Sequence, residues 1–307
     1  MIRIGIMGSD NTHSIAFAKL INRYEEGIFT PYGDPIPGAK VDFSDMRVVG
    51  IMGDDAAENQ KALEEGGMDF IAENAQDFVG RVDAMMIDYR RGGRHIEILP
   101  FIEAGLPCFI DKPLTYSMAD AYAITDAAAK SGAPIMGGSS FKQLGDVLKL
   151  KEIVATGDPI GELISAAAYY RADTKNMYDG LFFYAPHLVE MALTVFGYDM
   201  RSVIAVDKNG PFSAIARYDK FDIHLMFTNN DRNQPGCLLV GTKASHYMDI
   251  SLNDGYLQEM TAFADMLRSC KSHQTHEQLV MPVAVLNALQ ESVDGGGKEV
   301  AITKFLR

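Results

Sequence analysis

The sequence predicts an α/β protein in two parts. The first, residues 1–138, is a Rossmann-like doubly wound parallel sheet. The second, residues 139–307, is a C-terminal α+β domain with a mostly antiparallel open sheet. Three observations carry this expectation. Up to about residue 138, short and wholly apolar runs alternate with helix-length amphipathic stretches. Beyond that point, strand-like runs follow one another directly, some separated by turn signals. The 307 residues are long for one α/β domain and comfortable for two.

The elements follow in order. Residues 2–7 read as a strand buried on both faces, because the run has lost the polar alternation of a half-exposed strand. The chain then enters Gly8-Ser9-Asp10-Asn11-Thr12-His13, and 15–21 is amphipathic with helical spacing. Residues 24–46 hold Gly, Pro and Asp without periodicity and read as a long surface loop. Strands are expected at 47–52, 84–87, 107–110 and 134–136. Helices are expected at 56–65, ended by Gly66-Gly67, at 96–104, and at 119–130 with Gly132 in the C-cap place. In the second part, strands are expected at 163–170, 203–206, 214–218, 221–227, 238–241 and 247–252. Asn209-Gly210 and Asp219-Lys220 mark turns between them. Helices at 257–268 and 283–292 close the chain.

Composition narrows the function classes. The net charge of -13 repels phosphate backbones and anionic lipid heads, so neither nucleic acid nor a membrane surface is an expected partner. Cys108, Cys237 and Cys270 are odd in number and widely spaced, which argues against a disulfide framework and a zinc site. No apolar run approaches the length of a membrane span. The N-terminus enters a strand without a secretory apolar segment, so the cytoplasm is the expected location.

A strand that runs into a glycine turn and then a helix is where dinucleotide pyrophosphate sits, because the helix N-terminus offers free N–H groups and partial positive charge. Here the turn is Gly8, Ser9, Asp10, Asn11 and Thr12, and these five are the candidate pyrophosphate contacts. Only the first glycine of G-x-G-x-x-G survives. Asp10 and His13 hold the other two places. The alternative is a turn without ligand, capped by Asp10 or Thr12. Asp54, at the end of the second strand, is placed to bind adenine-ribose hydroxyls or to cap the next helix. Asp88 and Tyr89 close the 84–87 strand and are further candidate cofactor contacts. Arg90, Arg91 and Arg94 beyond them read either as an anion clamp or as an exposed basic turn.

Phe109-Ile110-Asp111-Lys112-Pro113 ends another strand. Asp111 and Lys112 therefore lie at the carboxyl edge of the sheet, where ligands bind in such folds. A lysine there can donate to a substrate oxygen or relay a proton. The stretch GLPCFIDKPLTYSMADAYAITDAAAKSGAPIMGGSSFK resembles the segment around E-K-P in the Gfo/Idh/MocA family, with Asp in place of Glu. The late segment YLQEMTAFADMLRSCKSHQTHEQLVMPVAVLNALQESVDGGGKEV resembles that family's C-terminal region. The resemblance implies NAD or NADP as cofactor, a sugar- or cyclitol-like hydroxy substrate, and a homo-oligomer (dimer or tetramer) formed through the second sheet. It also implies that Lys112 contacts substrate and aids proton transfer, and that His95 holds the place of a family histidine.

The family's second motif, D-x-x-x-H, falls on Phe183 to His187. His187 matches, and the acid is replaced by Phe183. Tyr184 and Glu190, three residues to either side of His187, share its face if the segment is helical. There Tyr184 could serve as an acid and Glu190 could orient the imidazole. A packed aromatic and a solvated helix residue are the plain alternatives for these two. Ser139 and Ser140 follow the 134–136 strand and are placed to line the same crevice. The reading is a dehydrogenase with His187 as general base and Lys112 polarising the substrate oxygen. The alternative is a non-catalytic ligand-binding or sensor protein on the same fold, suggested by Asp10 and Phe183.

Overall fold

The computed structural model describes residues 1–23, 42–230 and 234–307. The loop expected at 24–46 therefore lies largely outside the described residues. Its last part enters the core through buried Phe43 and Met46.

The described chain divides into two compact units. The first is built on a six-stranded parallel sheet. Its strands are β1 (Ile2–Met7), β2 (Met46–Met52), β3 (Phe70–Ile71), β4 (Ala84–Ile87), β5 (Cys108–Ile110) and β6 (Ile135–Gly137), in the order β3-β2-β1-β4-β5-β6. The order reverses beside β1, the switch point at which α/β sheets bind ligands. Every residue of β4, β5 and β6 is buried, which is why these runs lack polar alternation. The helices are α1 (Thr12–Arg23), α2 (Ala56–Gly66), α3 (Leu99–Glu103) and α4 (Met118–Ser131). Asp55 caps α2 by accepting from Ala57 and Glu58 N–H, and Gly67 ends it in the left-handed region.

The helix expected at 96–104 forms in two pieces. A 3-10 stretch, Gly92–Ile98, runs into the short α3. Pro100 lacks the N–H that an unbroken helix would donate back to Ile96, so α3 starts afresh with Pro100 in its first turn.

The second unit opens with α5 (Gly145–Thr156), a helix not anticipated above although Val147 and Leu150 bury one face of it. A seven-stranded mixed sheet follows. It comprises β7 (Leu163–Arg171), β8 (Ser202–Asp207), β9 (Phe212–Arg217), β10 (Asp222–Thr228), β11 (Gly236–Gly241), β12 (Ser245–Asp249) and, near the C-terminus, β13 (Val300–Ala301). The order is β12-β11-β7-β10-β9-β8-β13. Among the described residues only the β7–β10 pair of this sheet is parallel, so the expected antiparallel character holds. Asn209 and Gly210 both take positive φ in the β8–β9 turn, the geometry an Asn-Gly hairpin demands. The apolar α6 (Leu181–Phe196) packs in this unit's core.

Beyond the sheet, α7 (Gly255–Ser269) belongs to the first unit and most of α8 (His276–Asp294) to the second. The Phe263 ring of α7 meets the Phe109 ring of β5 edge-on at 5.7 Å, and Tyr256 meets Phe17 of α1 at 5.4 Å. The first unit thus borrows a helix from far along the chain to complete its core. Phe263→Ala is expected to cost the first unit about 3–5 kcal/mol, read as a lower urea midpoint. A loss below 1 kcal/mol would mean that α7 is not part of that core.

Candidate functional site

The turn after β1 is shaped by close approach. Gly8 has φ +119°, and a Cβ there would lie 2.4 Å from the Tyr89 nitrogen and 2.7 Å from an Asp88 carboxyl oxygen. A Cβ on Gly53 would lie 1.9 Å from Ser9 Oγ. Both positions are glycine because the ends of β1, β2 and β4 converge there.

The two missing glycines are replaced by a polar cluster. Neither Asp10 nor Thr12 caps α1, as the sequence had suggested. Asn11 Oδ1 accepts from His13 N–H at 3.3 Å, and exposed Asp10 instead accepts from Arg90 N–H at 3.2 Å. Asn11 takes the cap because its amide also reaches across the sheet, donating to the Asp88 carbonyl at 2.9 Å and to Asp111 Oδ2 at 3.3 Å. His13 is buried with Nδ1 2.7 Å from Asp111 Oδ2, its ring packed on Phe17 and Tyr256. The sequence marks His13 only as the residue in the third glycine place of G-x-G-x-x-G.

These contacts set two neighbouring acids apart. Burial alone would raise the Asp111 pKa. The charge and hydrogen bond of His13, then the charges of Lys112 and His95, outweigh burial and hold it at about 2. Asp88 is pushed well above the usual carboxylate range by burial, then by the charges of Asp111 and Asp10. Neither of its oxygens finds a partner among the described residues. Asp111 is thus the charged acid of the pair, and Asp88 is driven toward the neutral form. His95 is fully buried between two carbonyls, Pro113 O at 2.8 Å from Nδ1 and Tyr89 O at 3.0 Å from Nε2. Burial lowers its pKa, opposed chiefly by Asp111. Lys112 follows β5, is 5% exposed, and is joined to Pro113 by a cis peptide.

At the end of β2 an open pocket of about 580 Å³ is lined by Met7, Met52, Asp54, Tyr89, Arg94 and Glu97, among others. Asp54 does not cap α2, a role taken by Asp55, whose carboxylate lies within reach of the first N–H groups. Arg94 is neither a free anion clamp nor a loose surface group. It lies 3.6 Å over the Tyr89 ring, 2.5 Å from Asp54 and 2.8 Å from Glu97. Ser9 Oγ and Asn59 Oδ1 are buried near this turn without a partner among the described residues.

The second unit holds His187, Tyr184 and Glu190 on α6, as their spacing implied. Glu190 is 3% exposed, which overturns the solvated alternative. Its Oε1 accepts from Ser139 N–H at 2.7 Å, and its Oε2 pairs with buried Lys142 at 2.8 Å. Ser139 Oγ lies 2.7 Å from His187 Nδ1. The role of Glu190 beside His187 thus runs through Ser139, and Lys142 was missed because nothing in sequence marks a lysine as buried. Tyr184 is half-buried, with the Arg171 guanidinium 3.9 Å over its ring and Phe183 packed against it at 4.5 Å, as a packed aromatic would be.

Residues 3–139 match the model of the Gfo/Idh/MocA family, described as an oxidoreductase family with an NAD-binding Rossmann fold. No curated protein matches the chain by sequence. Among solved structures, scyllo-inositol dehydrogenase from Lactobacillus casei with bound NAD(H) and scyllo-inositol superposes with TM-score 0.81 at 17% identity, over 99% of both chains. A probable dehydrogenase from Thermotoga maritima gives 0.80 at 16%, over 99% of this chain and 100% of that one. A myo-inositol dehydrogenase from Corynebacterium glutamicum gives 0.78 at 16%, over 98% of each.

The Asp111 carboxylate makes a testable demand. Its folded pKa lies below the ordinary 3.8, so its charge stabilises fully above about pH 4, and this is lost as pH falls through about 2. Asp111→Asn is therefore expected to lose roughly 2 kcal/mol or more at pH 7. Denaturation curves should show the gap to wild type narrowing below pH 4. A gap independent of pH would refute the charged pair.

Proposed function

From the match of residues 3–139 to the Gfo/Idh/MocA oxidoreductase family model, we propose that the chain is an NAD-dependent dehydrogenase of sugar- or cyclitol-like hydroxy compounds. The observation that carries the reading is the pocket at the carboxyl edge of the parallel sheet, lined by Met7 at the end of β1 and by Gly53 and Asp54 after β2. Support for the substrate class comes from relatives of like fold, described as scyllo- and myo-inositol dehydrogenases.

The residues present fit a dinucleotide. Ser9 Oγ, beside the Gly8 and Gly53 positions where the strand ends converge, is a buried polar atom without a partner among the described residues. Asp54 would hold the adenine-ribose hydroxyls, and Gly8, Ser9, Asp10, Asn11 and Thr12 would flank the pyrophosphate. Asp88, Tyr89, Asp111 and Lys112 would border the remainder of the cofactor. When bound, the nicotinamide supplies hydride exchange. Lys112 would donate to a substrate oxygen and relay its proton, and His187 would be the second catalytic group, with Tyr184 and Glu190 in support.

The surroundings of Arg94 favour NAD over NADP. A free arginine would welcome a 2′-phosphate, but this one is already matched by Asp54 and Glu97, and Glu73 also lines the pocket. Calorimetric titration tests the reading. NAD⁺ is expected to bind, with NADP⁺ weaker by roughly tenfold or more. In a turnover assay over cyclitols and sugars, Lys112→Ala should then cut the rate by about 10²–10⁴-fold. Exposed Asp10 favours a second reading, a ligand-binding protein without redox chemistry. Failure of all four nicotinamide dinucleotides to bind at millimolar concentration would select it.

A homo-oligomer belongs to the same proposal. Met226 of β10, Val206 of β8 and Tyr247 of β12 are exposed apolar or aromatic side chains. The strand register puts Met226 and Val206 opposite Ser213, and Met226 opposite Tyr169, whose hydroxyl meets that of Tyr247. This is one continuous sheet face, fit for a second copy. Light scattering is expected to give a dimer or tetramer, and Met226→Glu a smaller species. A monomeric wild-type chain would end the proposal.

A further inference from the structure

Ser139 is fully buried, and its position is set twice over. Its N–H donates to Glu190 Oε1 at 2.7 Å, and Glu190 is itself held by Lys142 at 2.8 Å. The Ser139 hydroxyl then meets two groups, the Phe141 N–H at 3.1 Å and His187 Nδ1 at 2.7 Å. The imidazole plane is fixed by the Phe141 ring at 4.7 Å and by an edge-on contact with Tyr170 at 5.7 Å.

The hydrogen inventory decides how these groups share protons. A hydroxyl has one hydrogen and two lone pairs. The Phe141 N–H can only donate, so it occupies one lone pair. Were His187 Nδ1 also to donate, the hydroxyl hydrogen would lie buried with no acceptor, costing about 1–3 kcal/mol. If the hydroxyl donates to Nδ1 instead, its hydrogen finds an acceptor and the Phe141 N–H keeps its own. The neutral imidazole then carries its hydrogen on Nε2.

We propose that Ser139 is a positioning residue that fixes neutral His187 as the Nε2–H tautomer, so that the ring presents a hydrogen-bond donor to a substrate oxygen. The second half rests on the dehydrogenase reading above. It revises the expectation of a general base, since a nitrogen that bears hydrogen cannot accept one. On that reading the neutral ring polarises a carbonyl oxygen. The geometry needed for this tautomer lies wholly within the second unit.

Nitrogen-15 NMR of histidine-labelled full-length protein tests the proposal without substrate or cofactor. The His187 signals are identified by their loss in His187→Gln, and the spectrum is taken above the titration of the ring. The wild type is expected to show a protonated-type Nε2 and an unprotonated-type Nδ1. Ser139→Ala should move both toward a tautomer average, and Ser139→Thr should restore the wild-type pattern. A protonated Nδ1 in the wild type, or an unchanged pattern in a folded Ser139→Ala, overturns the proposal. The wild-type spectrum decides alone if the variant does not fold. NAD⁺ titration of the same samples separates the two readings, because cofactor binding can fail while the tautomer stands.

Discussion

A carboxylate removed from water must find compensating partners, and Asp111 at the end of β5 sets much of the first unit's local design through that need. His13 and Asn11 supply the partners, and both lie at the start of α1. Asn11 also reaches the Asp88 carbonyl, so the first turn of α1 is tied to the ends of both β4 and β5. The places where a dinucleotide turn usually carries small residues are used here for polar ties. Gly8 alone is retained, since its backbone meets that of Tyr89 too closely for any side chain.

The same charge governs its neighbours. With Asp111 ionised, a second buried charge on Asp88 is disfavoured, and the two acids diverge in protonation although both end parallel strands. His95 contributes a further buried polar group between two carbonyls. The edge of this sheet is thus a set of coupled protonation states rather than a row of independent contacts.

The second unit applies a parallel rule with different residues. Lys142 and Glu190 form a buried ion pair. Such pairs add little net stability, because desolvation offsets most of their attraction. What this pair does is hold Ser139 in one place beside His187. Phe183 stands where the D-x-x-x-H pattern would place an acid, and the His187 imidazole meets the Ser139 hydroxyl. The open face of the sheet, carrying Met226 and Tyr247, is a separate feature of the same unit.

The sequence by itself determined the order and kind of nearly all elements, because a strand buried on both faces must be apolar and a turn with positive φ must carry Gly or Asn. Thus 2–7, 84–87 and Asn209-Gly210 were legible from local chemistry. It missed α5, whose apolar spacing is short, and it ran a helix through Pro100. It also marked Lys112 and His187 as candidates through their motif context. Tertiary structure alone decided which polar groups meet. His13 and Asp111 are separated by 98 positions and Ser139 and His187 by 48, and no local pattern encodes such pairings. It likewise decided that α7 completes the first unit, since its apolar face reads the same whatever core receives it. Burial turns an ordinary lysine, serine or histidine into a group with one permitted partner, and burial is a property of the folded chain.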